Sequence, residues 1–181
     1  MAPLTNIEVR RARPADLALL EAFLARCSPA TLYRRFHGAA GRPVSLELGR
    51  IAHPTATHRS WVALGADGEV HGTATLAWGP AGPPHAAFLV EDAWFRRGIG
   101  RALARTLTAE AGQARVPAVM ATIQADNDRA VRFARAVSGD VRPRFAGTAE
   151  LELIVPVPPV VGDHRPHGQR DPVSLVEVAA R

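Results

Sequence analysis

Lysine is missing from this chain of 181 residues, whose 22 basic side chains are all arginine. The absence rules out chemistry that turns on a lysine amine. A P-loop would have no lysine to set against phosphates, and a pyridoxal-phosphate enzyme none for its Schiff base. A GC-rich genome is enough to account for the bias itself. Cysteine is nearly missing too: Cys27 stands alone, so no internal disulfide forms. The first residues, Met1 to Asn6, lack the charged and apolar regions of an export signal, and with a single cysteine they point to the cytoplasm. No apolar run approaches the ~20 residues of a membrane span, so no membrane partner is expected. Aromatic residues make up only 6% of the chain, with Tyr33 its sole tyrosine.

Hydrophobic residues at 47% and charged residues at 22% describe one globular domain with a sizeable core. The net charge of +5 permits polyanion binding. The arginines are scattered, however, apart from one cluster at Arg96, Arg97, Arg101 and Arg105. Such a cluster suits a small phosphorylated ligand better than a nucleic-acid track, and no nucleic-acid partner is expected.

Periodicity supplies the elements. Residues 7–12 alternate as a strand, and Pro14 opens a helix with an apolar face of Leu17, Leu19, Leu20, Phe23 and Leu24. Ser28-Pro29 starts a second helix through Phe36. Residues 38–58 read as a loop around a short helix near 44–51. Strands follow at 60–65 and 69–77, joined through Ala66-Asp67-Gly68, a strong hairpin signal. After a Pro- and Gly-rich loop come a buried strand over 85–91, a helix from Gly98, a strand over 118–123 and a helix capped by Asn127, whose Arg129, Arg132 and Arg135 face outward. A last hairpin is expected over 141–146 and 149–156. The domain is expected to span 1–156. Residues 157–181, rich in proline, read as a flexible tail in which Val173 to Ala179 form at most a short element.

The chemistry concentrates between 85 and 115: a buried strand, a loop, two glycines, then a helix. The unpaired N–H groups at a helix start make a site for a pyrophosphate, with Arg96, Arg97 and Arg101 adding positive charge. Glycines there let the backbone approach a ligand closely. A Gly-x-Gly serves equally well as a tight turn into a helix. A dinucleotide-binding fingerprint fits badly, because Leu103 stands where its third glycine belongs.

The wider pattern resembles the GNAT superfamily of N-acetyltransferases. Val90-Glu91-Asp92-Ala93-Trp94-Phe95-Arg96-Arg97-Gly98-Ile99-Gly100-Arg101-Ala102-Leu103 is similar to its signature of a strand ending in Val, a loop with an aromatic, then Arg-Gly-x-Gly-x-Ala-Leu. Asp126-Asn127-Asp128-Arg129-Ala130 resembles its Asn-x-x-Ala segment. Ser28 to Phe36 looks like a helix of bacterial GNAT domains related to protein lysine acetyltransferases. The resemblance covers about residues 7–155. It implies an α/β (α+β) fold: a mixed, mostly antiparallel twisted sheet of six to seven strands with helices on both faces, and strands four and five splayed. Acetyl-CoA, or another acyl-CoA, is the implied acyl donor, and an amine, on a small molecule or a protein lysine, the implied acceptor. A monomer and a homodimer both fit.

By position, the main chain of Leu89 and Val90 would pair with pantetheine. The N–H groups from Arg97 through Gly98, Ile99 and Gly100 to Arg101 would hold the pyrophosphate beside Arg96, and Asn127 would face the pantetheine. The Val90 N–H is the implied donor to the oxyanion. His85 takes the position where related enzymes often carry a catalytic Glu. An imidazole, ordinarily near pKa 6.5, suits a general base, against the plain alternative of a surface residue ending a loop. Three departures stand out: Phe95 for Gln or Arg, Ser138-Gly139 for Gly-Phe, and Ala134 where the family often has a tyrosine acid. A non-catalytic acyl-CoA-binding module is therefore the rival reading. Cys27 reads as a buried small hydrophobe rather than a nucleophile, His71 as a packed strand residue, and Glu91 and Asp92 as residues that tune the loop. His164 and His167 lack a partner ligand pair, so no metal site is expected.

Overall fold

A computed structural model describes residues 7–36, 42–145 and 149–158. Among the described residues seven strands form one sheet in the order β1-β2-β3-β4-β5-β7-β6. They are β1 (Glu8–Arg11), β2 (His58–Leu64), β3 (Val70–Ala77), β4 (His85–Val90), β5 (Ala118–Gln124), β6 (Arg142–Phe145) and β7 (Glu150–Pro156). Every neighbouring pair is antiparallel except β4 and β5. The helices are α1 (Leu17–Arg26), α2 (Pro29–Phe36), α3 (Arg42–Ala52), α4 (Ile99–Gln113) and α5 (Asp128–Val137). The expected mixed α/β sheet is present with its full seven strands.

The alternation of strand side chains splits the interior into two cores. On one face Ile99, Leu103, Leu107 and Ala111 of α4 pack on Trp61, Ala63, Ala74, Leu76 and Ala86, continuing to Val119, Leu153 and Val155. On the other face Leu20, Phe23 and Leu24 of α1 and Leu48 and Ile51 of α3 cover Val62, Leu64 and Leu89. The hairpin at Asp67-Gly68 forms as expected, with Gly68 at φ 76° and its N–H on the Gly65 carbonyl at 3.0 Å.

The helix expected near 44–51 runs from Arg42 to Ala52. The first helix begins at Leu17, because Pro14–Asp16 forms a 3₁₀ turn in which the Asp16 carboxylate accepts from the Arg13 N–H and is held by Arg10. Val157 is buried, and its N–H reaches the Pro117 carbonyl at 3.0 Å, so packing continues one residue past the expected boundary. The rest of the expected tail beyond Pro158, with His164, His167 and Val173 to Ala179, lies outside the described residues. Among the described residues no helix is long and apolar enough to cross a membrane.

Gly72 lets α4 lie close to β3. A Cβ there would meet Ile99 Cγ2 at 2.7 Å, Leu103 Cδ1 at 3.2 Å and the Leu89 carbonyl oxygen at 3.2 Å. The last of these is backbone and cannot swing away. Gly72→Ala should cost about 1–3 kcal/mol and lower the melting temperature by roughly 3–10 °C. A thermal melt of the variant within a degree of the parent would contradict this packing.

Candidate functional site

Parallel β4 and β5 share a single register pair, His85↔Met120, with the Met120 N–H donating to the Pro84 carbonyl at 2.9 Å. Beyond it the two strands part. On its other edge β4 stays in register with β3 from Ala77↔His85 to Gly72↔Val90, and the Glu91 N–H donates to the His71 carbonyl at 3.0 Å. An antiparallel ladder alternates its bonds. Ala87 and Leu89 therefore turn their main-chain groups toward β3, and Phe88 and Val90 turn theirs into the gap. Val90 is thus at the gap as the sequence suggests. Leu89 is not: its main chain belongs to the β3 ladder and its side chain to the α1 core. Phe88 takes its place.

Helix α2 bridges the open end of the gap. Its start is tied to the residues after β4: the Ser28 N–H and hydroxyl donate to Asp92 at 2.8 and 2.9 Å, and the Thr31 hydroxyl at 2.7 Å. Its far half is tied to the end of β5. Arg34 donates to Gln124 at 2.9 Å and forms a two-nitrogen ion pair with Asp126. Burial pushes the Asp92 carboxyl up, but the Ser28 N–H and the Thr31 and Ser28 hydroxyls outweigh it and hold the group below its usual value. Arg34 holds Asp126 low in the same way.

The loop between β4 and α4 is clamped from beneath. Buried His71 meets Glu91 through Nδ1 at 2.8 Å and Asp67 through Nε2 at 3.0 Å. Its ring stacks under Trp94 at 3.9 Å. Arg26 adds a bond to Glu91 at 3.1 Å. Arg96 and Gly98 then take positive φ, 63° and 88°, to turn the chain into α4. The first intrahelical bond there is Ala102 N–H to the Gly98 carbonyl at 2.9 Å. The N–H groups of Gly98, Ile99, Gly100 and Arg101 precede it and point out of the helix end. Asn127 caps α5 by accepting from the Ala130 N–H at 3.2 Å, which leaves its amide NH2 as a donor.

These parts line one cleft of about 1980 Å3 that passes through the gap from the α4–α5 face to the α2–α3 face. Arg96, Gly98, Ile99, Gly100, Arg101 and Asn127 line it, as do Arg97, Leu89, Val90 and His85. His85 is exposed at the closed apex of the gap. Five residues of extended strand, roughly 17 Å, separate His85 from Val90, so the two cannot touch the same reacting atom. Phe88, three residues away at roughly 10 Å, is the nearer gap-facing N–H.

Some site residues escaped the sequence reading. Arg129 and Arg132, expected to face outward, are exposed yet line the cleft. Arg129 stacks over the Phe95 ring at 3.9 Å, so the residue that departs from the family pattern orients an arginine at the loop. The i+3 spacing of these arginines along α5 was the available signal. Gly100 also packs closely, since a Cβ there would meet the Phe133 ring at 3.3 Å. Cys27 is buried, and burial raises its thiol to about 12, so it carries no thiolate at neutral pH. Among the described residues no group of three His, Cys, Asp or Glu is placed to hold a metal.

The model of the Acetyltransferase (GNAT) family matches residues 29–139, and the chain belongs to that family. A search of curated proteins returned no match. The GNAT domain of S. lividans PAT is similar in fold, with 20% identity, TM-score 0.73, and coverage of 85% of this chain and 97% of that one. So is yncA of Salmonella typhimurium with its cofactor acetyl-CoA, at 18% identity, TM-score 0.62, and coverage of 84% and 94%. The spermidine N-acetyltransferase of Vibrio cholerae, in complex with CoA and spermine, matches at 12% identity, TM-score 0.62, and coverage of 82% and 93%.

The Asp92 anchor can be tested directly. Asp92→Ala leaves the α2 start without its three bonds and should cost about 1–3 kcal/mol. The Asp92 carboxyl is held low in the fold. Its stabilisation is therefore complete above the ordinary carboxylate value of about 3.9 and is lost as pH falls through the folded value. Melting temperatures should differ between parent and variant at neutral pH and converge in strong acid. A constant difference down to that range would show that ionised Asp92 is not the anchor.

Proposed function

We propose that this GNAT-family chain transfers an acetyl group from acetyl-CoA to an amine, by direct attack of the amine while both substrates are bound. The observation that carries the reading is the gap. It presents unpaired main-chain groups of Phe88 and Val90 that lead to the N-terminus of α4. A linear ligand with amides along its length and a pyrophosphate at one end fits those groups, and acetyl-CoA bound there supplies the acyl group as an activated thioester. The N–H groups from Gly98 to Arg101 hold the pyrophosphate, with Arg96, Arg97, Arg129 and Arg132 around it. The Val90 main chain and the Asn127 amide hold the arm. The Phe88 N–H polarises the carbonyl that His85 can serve. His85 accepts the proton of the incoming ammonium, directly or through a water, and its exposure lets it return that proton to solvent.

Direct attack is favoured because Cys27, the chain's one thiol, is buried and its raised value keeps it protonated. One observation favours the rival reading of a binding module: Ala134 is buried in the cleft wall where the family often has a tyrosine. Among the described residues lining the cleft there is no tyrosine at all. Water can protonate the departing thiolate, with a loss of about 10²-fold relative to a positioned acid.

Two measurements separate the readings. Acetyl-CoA should raise the melting temperature in the presence of EDTA under both, whereas only the enzyme releases free thiol when an amine is added. No shift at millimolar acetyl-CoA would overturn cofactor binding; a shift without thiol release across a broad amine panel would favour the module. His85→Ala should lower kcat about 10²-fold, with acetyl-CoA affinity nearly unchanged. Wild-type kcat in that variant would return His85 to a surface role.

A further inference from the structure

His71 stands outside the cleft, and so does Asp67 of the β2–β3 hairpin; neither lines it. The histidine is 4% exposed. Glu91 meets its Nδ1 at 2.8 Å and Asp67 its Nε2 at 3.0 Å, so the ring cannot turn without losing a contact at each end. Glu91 is held in turn by Arg26 at 3.1 Å, and Arg26 by the Val70 carbonyl at 2.7 Å. Gly65 makes room for this arrangement: a Cβ there would meet the His71 ring at 2.9 Å and Asp67 Oδ1 at 2.6 Å. A ring fixed at both ends is a firm surface. Trp94 covers it, with 3.9 Å between centroids and 22° between planes.

The loop above needs such a surface. Its main-chain hydrogen bonds are all short-range: Trp94 N–H to the Glu91 carbonyl at 2.9 Å, Phe95 N–H to Asp92 at 3.2 Å, and Arg97 N–H to Trp94 at 3.4 Å. The next joins Ala102 to Gly98 at the start of α4. Among the described residues no backbone hydrogen bond ties Trp94 to Gly98 to another element. Side chains fix this stretch instead. Trp94 lies on His71, and the Arg97 guanidinium lies over the Trp94 ring at 5.2 Å. A continuous row of contacts therefore joins Asp67, His71, Trp94 and Arg97, from the hairpin to a cation that lines the cleft.

We infer that His71 is a positioning residue for the acyl-CoA site. It fixes Trp94, and through Trp94 the Arg97 guanidinium and the helix-end N–H groups beyond it. Asp67, whose side chain is 51% exposed on the hairpin, thereby takes part in cofactor binding without touching the cofactor. This rests on the acetyl-CoA reading of the cleft and adds to it the residues that keep the loop in its binding shape. A loop ordered before its ligand arrives loses less conformational freedom on binding. Arg96 holds a positive φ of 63° in that loop, a conformation that persists only where the surroundings impose it. Glu91 alone would leave the imidazole free to pivot about one contact; Asp67 supplies the second fixed point.

Calorimetric titration with acetyl-CoA tests this, beside competition by S-acetylpantetheine, which has the arm and thioester but no pyrophosphate. His71→Ala should raise the acetyl-CoA Kd about tenfold and Asp67→Ala about threefold, with S-acetylpantetheine affinity nearly unchanged. Asp67→Asn keeps an oxygen for Nε2 and should stay within about twofold of the parent. Trp94→Ala should weaken acetyl-CoA binding as much as His71→Ala, and the double variant no further, since the two act through one contact. With an amine present, the acetyl-CoA KM should follow Kd while kcat at saturation holds. Unchanged acetyl-CoA Kd in His71→Ala and Asp67→Ala, equal weakening of both ligands, or additive effects of His71→Ala and Trp94→Ala would overturn the inference and leave the enzyme reading standing. If the buried His71→Ala does not fold, Asp67→Ala against Asp67→Asn decides. A parent chain that binds no acetyl-CoA would overturn both.

Discussion

The site depends on one constraint: β4 and β5 are neighbours that must not pair. Parallel strands of six and seven residues would ordinarily zip together, and their unpaired main-chain groups are costly unless something else satisfies them. Here the two meet once, at His85↔Met120. α2 then spans the opening, bonded to Asp92 on one side and to Gln124 and Asp126 on the other. These anchors are polar and directional, so they fix a distance rather than close it. Phe88 meets Phe133 edge-on at 5.3 Å, which fills the space under the gap with an aromatic pair instead of a strand contact. Helix, ion pair and ring contact together keep a row of hydrogen-bonding groups available for a ligand.

The second constraint is electrostatic. A loop that gathers Arg96, Arg97 and Arg101 with helix-end N–H groups concentrates positive charge before any ligand arrives, and Arg96 adds backbone strain of about 1–3 kcal/mol. The clamp below opposes both. Glu91 sits between His71 and Arg26, and Trp94 lies flat on His71, so the loop's first residues are tied to β3 and α1. The stacks of Arg97 on Trp94 and Arg129 on Phe95 then orient guanidinium groups with little loss of hydration. Acidic residues next to this arginine-rich loop look misplaced in sequence; in space Glu91 is taken up by His71 and Arg26, and Asp92 by Ser28 and Thr31, and both hold the loop's frame.

Much of this was legible in the sequence, and the reasons differ by element. The turn into α4 was readable because helix start, glycines and arginines are contiguous. The Asp-Gly hairpin and the Asn127 cap were readable for the same reason. Ladder parity was not: whether Leu89 or Phe88 faces the gap depends on which residue of β3 pairs with Glu91, a non-local register that no spacing within β4 reveals. The roles of Arg34 and Asp92 were hidden likewise, since their partners lie in other elements. The packing of Gly100 on Phe133, thirty-three positions on, was hidden for the same reason.

The α4–α5 and α2–α3 sides of the cleft meet only at the gap, and strand geometry explains why. Side chains alternate between the faces of a sheet while main-chain groups lie in its plane. On β4, Ala86 and Phe88 serve the α4–α5 face, and His85 and Ala87 serve the α2–α3 face. An intact sheet would keep ligands on the two faces apart by its full thickness. Where β4 and β5 separate, the in-plane N–H groups of Phe88 and Val90 become the common boundary, and under the proposed function a thioester lying there would be approached from the face opposite to the α4 N-terminus. On that reading the α2–α3 wall is free to vary without disturbing the loop before α4.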